Sequence, residues 1–193
     1  MGRRALSVCA VAAATAVLAA CSHAGAPSPQ PAGTAAVERV VDGDTIIVRV
    51  SGRRERVRFI GMDTPESVKP NTPVQCFALA ASNRTKSLLP AGTAVRMVGD
   101  VEQRDTYKRL LAYVYRAKDN LFVNLSLVHD GYAVPYTFPP NVAHTSEFVA
   151  AAADARDAGR GLWSACAPDQ RPSHADVATF TPDERPATSE VRR

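Results

Sequence analysis

Residues 37–60 constrain the fold more than any other part of this chain. Residues 37–50 alternate in hydropathy and are rich in Val and Ile, the pattern of a half-buried strand. Asp42-Gly43 interrupts that pattern and predicts a bulge or tight turn within it. Arg56-Val57-Arg58-Phe59-Ile60 alternates again and is expected to pair with the first strand.

Further along, Thr72-Pro73-Val74-Gln75 reads as a helix start. Thr72 is the expected N-cap, Pro73 fits the first helical position, and Gln75 completes a capping box. The helix is expected to run to about Leu89 and to stop at Pro90-Ala91-Gly92. Residues 94–98 and 110–115 read as strands. Residues 123–129 read as a short helix stopped by Gly131, and residues 145–158 as an Ala-rich helix ending at Gly159. Several strands, one inserted helix and a terminal helix fit a small β-barrel with helices. No internal repeat is visible.

The ends of the chain have a different character. Arg3 and Arg4 precede an apolar, alanine-rich run over residues 5–19, shorter than the roughly 20 apolar residues of a bilayer span. Residues 1–20 therefore read as a secretory signal. Leu18-Ala19-Ala20-Cys21 resembles a bacterial lipobox, which implies cleavage before Cys21 and a lipid anchor on its thiol. Residues 21–36 are Pro-rich, carry no Asp, Glu, Lys or Arg, and read as a tether. Residues 167–193 have few large apolar side chains and read as a disordered tail. Residues 37–166 remain, enough for one domain with a core and too few for two. The expected location is extracytoplasmic, anchored through Cys21, with a secreted form as the alternative.

Charge excludes a protein that coats nucleic acid by bulk attraction. The chain has 23 basic and 19 acidic residues, and losing Arg3 and Arg4 with the signal leaves 21 against 19. The distribution says more, because Arg49, Arg53, Arg54, Arg56 and Arg58 crowd one stretch against a lone Glu55. Either a phosphate-binding face or a solvated hairpin accounts for that run. With Cys9 lost and Cys21 lipidated, Cys76 and Cys166 remain. In an oxidising compartment they are expected to form a disulfide, with two buried thiols as the alternative. No Cys-x-x-Cys and no histidine near either cysteine points to zinc.

The chemistry-bearing residues sit in three short segments. Asp42-Gly43-Asp44-Thr45 and Arg58-Phe59-Ile60-Gly61-Met62-Asp63-Thr64-Pro65-Glu66 bring acids and an arginine into one β-rich stretch. Asp44 and Asp63 are candidate hard-oxygen ligands for a divalent cation. Arg58 can grip a phosphate, and Glu66 can orient or deprotonate a water. A second arginine, Arg109, follows in Asp105-Thr106-Tyr107-Lys108-Arg109-Leu110-Leu111-Ala112-Tyr113. These are the parts that phosphodiester hydrolysis needs. Taken singly, each has a plainer reading as a turn, a loop or a surface strand residue.

In that order, the three segments resemble the staphylococcal nuclease (thermonuclease) family over nearly the whole domain, from Val40 to Trp163. The resemblance implies an α+β fold, an OB-type five-stranded β-barrel with about three helices. It implies calcium-dependent hydrolysis of DNA and RNA that leaves 3′-phosphate ends, by a monomer. It assigns Asp44 and Asp63 as calcium carboxylates, Thr64 as a carbonyl ligand, and Asp42 as an acid acting on the ion less directly. Arg58 and Arg109 match the phosphate-binding arginines, Glu66 the general base, and Tyr107 and Tyr136 the aromatic positions of the nucleotide pocket. Exported relatives often have a cysteine pair placed like Cys76 and Cys166.

The chain also departs from the family pattern. Thr106 stands where the archetype has lysine, Lys108 where it has glycine, and Phe138 where it has a second pocket tyrosine. The competing reading is an OB-fold module that binds single strands without cutting them. Such a module would be expected to lack some of Asp44, Asp63, Arg58, Glu66 and Arg109, and all five are present. The four histidines form no His-x-Lys or His-Asn-His pattern of another nuclease mechanism.

Overall fold

The computed structural model describes residues 31–68 and 73–172. Three strands, β1 (Pro31–Asp42), β2 (Thr45–Val50) and β3 (Arg53–Phe59), form a meander, followed by a short β4 (Gly61–Asp63). Helix α1 (Ala78–Leu88) leads to β5 (Ala94–Val98) and β6 (Leu110–Arg116). After β7 (Leu121–Phe122) come α2 (Val123–His129), β8 (Val134–Tyr136), α3 (Thr145–Asp157) and α4 (Leu162–Ala165). The main sheet runs β3-β2-β1-β5-β6-β7, and parallel pairing of β3 with β6 closes the five longer strands into a barrel. This is the α+β barrel with three substantial helices that the sequence led us to expect.

Alternation builds the core. Ile46 and Val48 of β2, Val57 and Phe59 of β3, Val95 and Met97 of β5, and Ala112 and Val114 of β6 are all at most 2 % exposed. Each large apolar side chain buried this way contributes roughly 1.5–3 kcal/mol. Leu127 and Val128 of α2 and Phe148, Ala152 and Ala155 of α3 join the same cluster. Gly61, at φ +82°, lets the chain turn out of β3 where an added Cβ would lie 2.3 Å from the Phe148 ring. Buried Asn124 ties the layers together. Its amide donates to the carbonyls of Ile60 and Ala112, and its oxygen accepts from Val114 N.

Two boundaries differ from expectation. β1 begins at Pro31, because Pro31–Ala36 pair antiparallel with β5, so the expected tether overlaps the first strand. The helix expected from Thr72 begins at Ala78, behind Phe77 at φ 67°. Gln75 is not a capping residue: its side chain accepts from Glu66 N and its own N donates to Glu66 O, so a long-range contact takes the groups a capping box would use. Thr72 lies outside the described residues.

Cys76 and Cys166 form a disulfide across 90 positions, joining the approach to α1 with the residue after α4. The packed chain continues past Cys166. Pro168–Gln170 make a 3-10 turn, and Arg171 donates to the carbonyls of Trp163 and Cys166. The expected signal, Cys21 and the later part of the expected tail lie outside the described residues. Among the described residues no helix is long and apolar enough to cross a membrane.

Candidate active site

Asp42 and Thr45 pair across a two-residue turn, leaving Gly43-Asp44 at its tip. A Cβ at Gly43 would come within 2.7 Å of Thr64 Oγ1, so only glycine lets the loop after β4 close over the turn. Thr85 Oγ1 of α1 donates to Gly43 O at 2.6 Å from the other side. The clamped turn buries the Asp44 carboxylate. Thr45 Oγ1 donates to its Oδ1 at 2.8 Å, while Thr64 N and Oγ1 approach its Oδ2 at 3.3 and 3.2 Å.

Arg58 stands opposite Thr45 in the β2–β3 register. Its Nη1 donates to the carbonyls of Phe59 and Met62, both at 2.9 Å. Its Nη2 lies 2.5 Å from Asp63 Oδ1 and 3.3 Å from Asp44 Oδ2. Four acceptors thus hold one guanidinium between two acids. Burial pushes the Asp44 carboxyl above the usual carboxylate range; Arg58 works against that shift and the charge of Asp63 adds to it.

Asp42 faces the other way. Ser67 Oγ donates to it at 2.6 Å and Gly43 N at 2.8 Å. Burial still raises its carboxyl above the usual range, and neighbouring Asp44 and a hydrogen bond with the Glu66 side chain act in the same direction. Glu66 sits in the loop after β4, where its carboxylate accepts from Val68 N and its backbone is tied to Gln75.

Arg109 arrives from the turn before β6. Asp105 accepts from Arg109 Nε at 2.6 Å, from Arg109 N at 2.9 Å and from Tyr107 N at 3.0 Å. Arg104, one residue earlier, makes a two-pronged pair with Glu55 and also donates to Lys108 O. A cavity of about 270 Å³ opens between Arg58 and Arg109. Tyr107, Tyr136, Phe138 and Thr106 line it as well, with Tyr107 80 % exposed and Tyr136 and Phe138 stacked at 6.4 Å.

The structure therefore joins Asp44, Asp63, Thr64 and Arg58 directly. It places Arg109, Tyr107 and Tyr136 around the cavity that Arg58 lines, and holds Asp42 and Glu66 on the neighbouring loop. Asp105, Glu55, Arg104, Ser67 and Gln75 were not singled out from sequence as residues of the site. Only Asp105 carried a local signal, an acid four positions before Arg109.

Among the described residues no three His, Cys, Asp or Glu side chains gather as a metal cluster. The donors that do meet still suit a hard cation. Asp44 and Asp63 are carboxylates within reach of one guanidinium, the first of them buried at an energetic cost. Calcium completes its shell with carbonyl and water oxygens, so two carboxylates and the Thr64 carbonyl are a compatible partial set.

Comparison with known proteins agrees with this geometry. Residues 56–165 match the family model described as staphylococcal nuclease homologue. A thermonuclease of Staphylococcus intermedius is 46 % identical over 127 residues, covering 66 % of this chain and 74 % of that protein. A thermonuclease of Staphylococcus hyicus is 41 % identical over 128 residues, with the same shares covered. Endonuclease YncB of Bacillus subtilis is 37 % identical over 129 residues, covering 66 % of this chain and 60 % of that protein. With a family model over more than half its length and thermonucleases up to 46 % identical to it, this chain belongs to the staphylococcal nuclease family.

Proposed function

We propose that this protein hydrolyses phosphodiester bonds of DNA and RNA with calcium as its metal, leaving 3′-phosphate ends. That it is a nuclease, a hydrolase acting on nucleic acid, follows from its family and from the thermonucleases and endonuclease it resembles. The observation that carries the finer reading is the guanidinium of Arg58. It is fixed between Asp44 and Asp63 and also lines the cavity that Arg109 shares.

Asp44, Asp63 and the Thr64 carbonyl would hold the ion. When bound, calcium polarises a phosphoryl oxygen and organises water. Arg58 and Arg109 grip the remaining phosphate oxygens, and Asp44, Asp63 and Asp105 position these two side chains before substrate arrives, so little reorganisation accompanies the build-up of charge. Glu66 orients the attacking water or takes its proton. Exposed Tyr107 and Tyr136 hold the nucleoside beside the scissile phosphate. Phe138 replaces a hydroxyl donor by a ring face and favours stacking over hydrogen bonding.

Assay of the purified protein on DNA and RNA, with calcium or with excess chelator, tests this reading. Cleavage in calcium alone, with 3′-phosphate on the products, is expected. Full activity in chelator, or 5′-phosphate products, would exclude it.

The proposal extends to location. Residues 1–20 act as a signal, Cys21 receives lipid, and a monomeric domain works outside the cytoplasm. Mass spectrometry of Cys21 in the membrane fraction checks this. A mature form cut after Ala20, lipid-free and in the medium, means a secreted enzyme instead.

A further inference from the structure

The outer face of the β1–β2–β3 sheet carries arginines that lead away from Arg58. Across β2 and β3, Thr45 pairs with Arg58, Ile47 with Arg56 and Arg49 with Arg54, while Arg39 of β1 pairs with Ile47. Directly opposed residues of an antiparallel pair share a face, and residues two apart repeat it. Val57, Phe59, Ile46 and Val48 take the inner positions and are buried. Arg58, Arg56 and Arg54 therefore climb the outside of β3 in steps of about 6.8 Å. Arg39 stands on the same face two strands over from Arg56, about 9.6 Å away by strand spacing.

The acids are distributed unevenly along this row. Register slips by one residue between Val37 and Arg39, so Glu38 is the extra residue of a β-bulge. It pairs with both Arg49, at 3.1 Å, and Arg54, at 2.8 Å. The middle rung has no such partner. Arg39 and Arg56 are both exposed, flank the apolar Ile47, and form no ion pair among the described residues. Neither guanidinium gives the fold an ion pair among the described residues, while the rung continues the line of Arg58 toward solvent.

We propose that Arg39 and Arg56 form a backbone subsite for single-stranded nucleic acid, holding a phosphate next to the one gripped by Arg58. This rests on the reading of Arg58 as a phosphate-binding residue of the cleavage site. One strand step is close to the separation of successive phosphates in an extended strand, so a strand leaving Arg58 meets the rung without stretching. The exposed rings of Tyr107, Tyr136 and Phe138 around the cavity suit unstacked bases, which favours a single strand over a duplex. The rung would bind longer substrates and leave the smallest ones untouched, because a dinucleotide without a terminal phosphate (a dinucleoside monophosphate) has only the one phosphate.

The test compares the full chain with an Arg39→Gln/Arg56→Gln variant on two substrates. Binding of labelled dodecathymidylate is followed by fluorescence anisotropy over a range of salt, in chelator. Cleavage of a dinucleotide is followed in calcium. Losing this phosphate contact should weaken dodecathymidylate binding about tenfold and cut the salt slope by about 0.7. Dinucleotide kcat/KM should stay at the parent value, and Arg39→Lys/Arg56→Lys should restore the slope. Should the double variant fail to fold, Arg56→Gln alone should cut the slope in the same direction, by up to about 0.7. Unchanged affinity and slope would overturn the proposal, as would a parallel fall in dinucleotide cleavage. Arginine-dependent binding to phosphatidylserine vesicles with unchanged dodecathymidylate binding would also overturn it. If the parent fails to cut the dinucleotide while the variant still loses affinity, the subsite stands and the cleavage assignment falls.

Discussion

At the scale of single residues, the site depends on how its arginines are held. Asp105 binds the side chain and backbone of Arg109 and the backbone of Tyr107, so it positions both from the cavity wall. Asp105→Asn keeps the size and loses the charge. Turnover should fall by about tenfold through misplacement of Arg109. An Asp105→Glu variant should recover part of that loss, and near-parent turnover for Asp105→Asn would remove the positioning role. Lys108 is a second test. It adopts φ 65°, a left-handed conformation that costs a non-glycine residue roughly 1–2 kcal/mol. Lys108→Gly should therefore raise stability by about 1 kcal/mol, partly offset by the entropy of a freer unfolded chain. Urea denaturation measures it, and a clear loss of stability would mean that Lys108 contributes more than its backbone costs.

At the scale of elements, β5, β6 and α2 could be read from the chain because local signals decided them. Alternation set 94–98, and Gly131 at φ 74° ended α2 as expected. The start of α1 could not be read this way, since Gln75 is recruited by Glu66, nine positions back in the same loop. Asp44, Asp63 and Arg58 were legible because they lie within twenty positions of one another on a strand–turn–strand. Glu55–Arg104 was not, because its partners are 49 positions apart and meet only when β3 lies alongside β6. Asn124 escaped for the same reason, being an ordinary polar residue within α2 until three elements converge on its amide. Asn124→Leu should take the amide's bonds from the Ile60 carbonyl and the Val114 N–H, while Ala112 O keeps the Ile60 N–H, at a cost of roughly 1–3 kcal/mol for each group left unsatisfied. Thermal melting checks this, and an unchanged midpoint would contradict the structural role.

At the scale of the whole molecule, the Cys76–Cys166 bond staples the helical end to the loop that holds Gln75 and Glu66. Closing a 90-residue loop is worth about 4 kcal/mol in the chain-entropy model. Cys76→Ser/Cys166→Ser should lose stability of that order while the folded fraction keeps its turnover. An equal loss of turnover in fully folded protein would mean that the staple also shapes the site. In the proposed site one guanidinium links the acids to the substrate phosphate, and Arg58→Lys breaks that link while keeping the charge. Lysine keeps the charge and cannot reach Asp44, Asp63 and two carbonyls at once as the planar guanidinium does. Turnover of the folded variant on single-stranded DNA in calcium should fall by about a hundredfold or more. Near-parent turnover in folded Arg58→Lys would contradict the account.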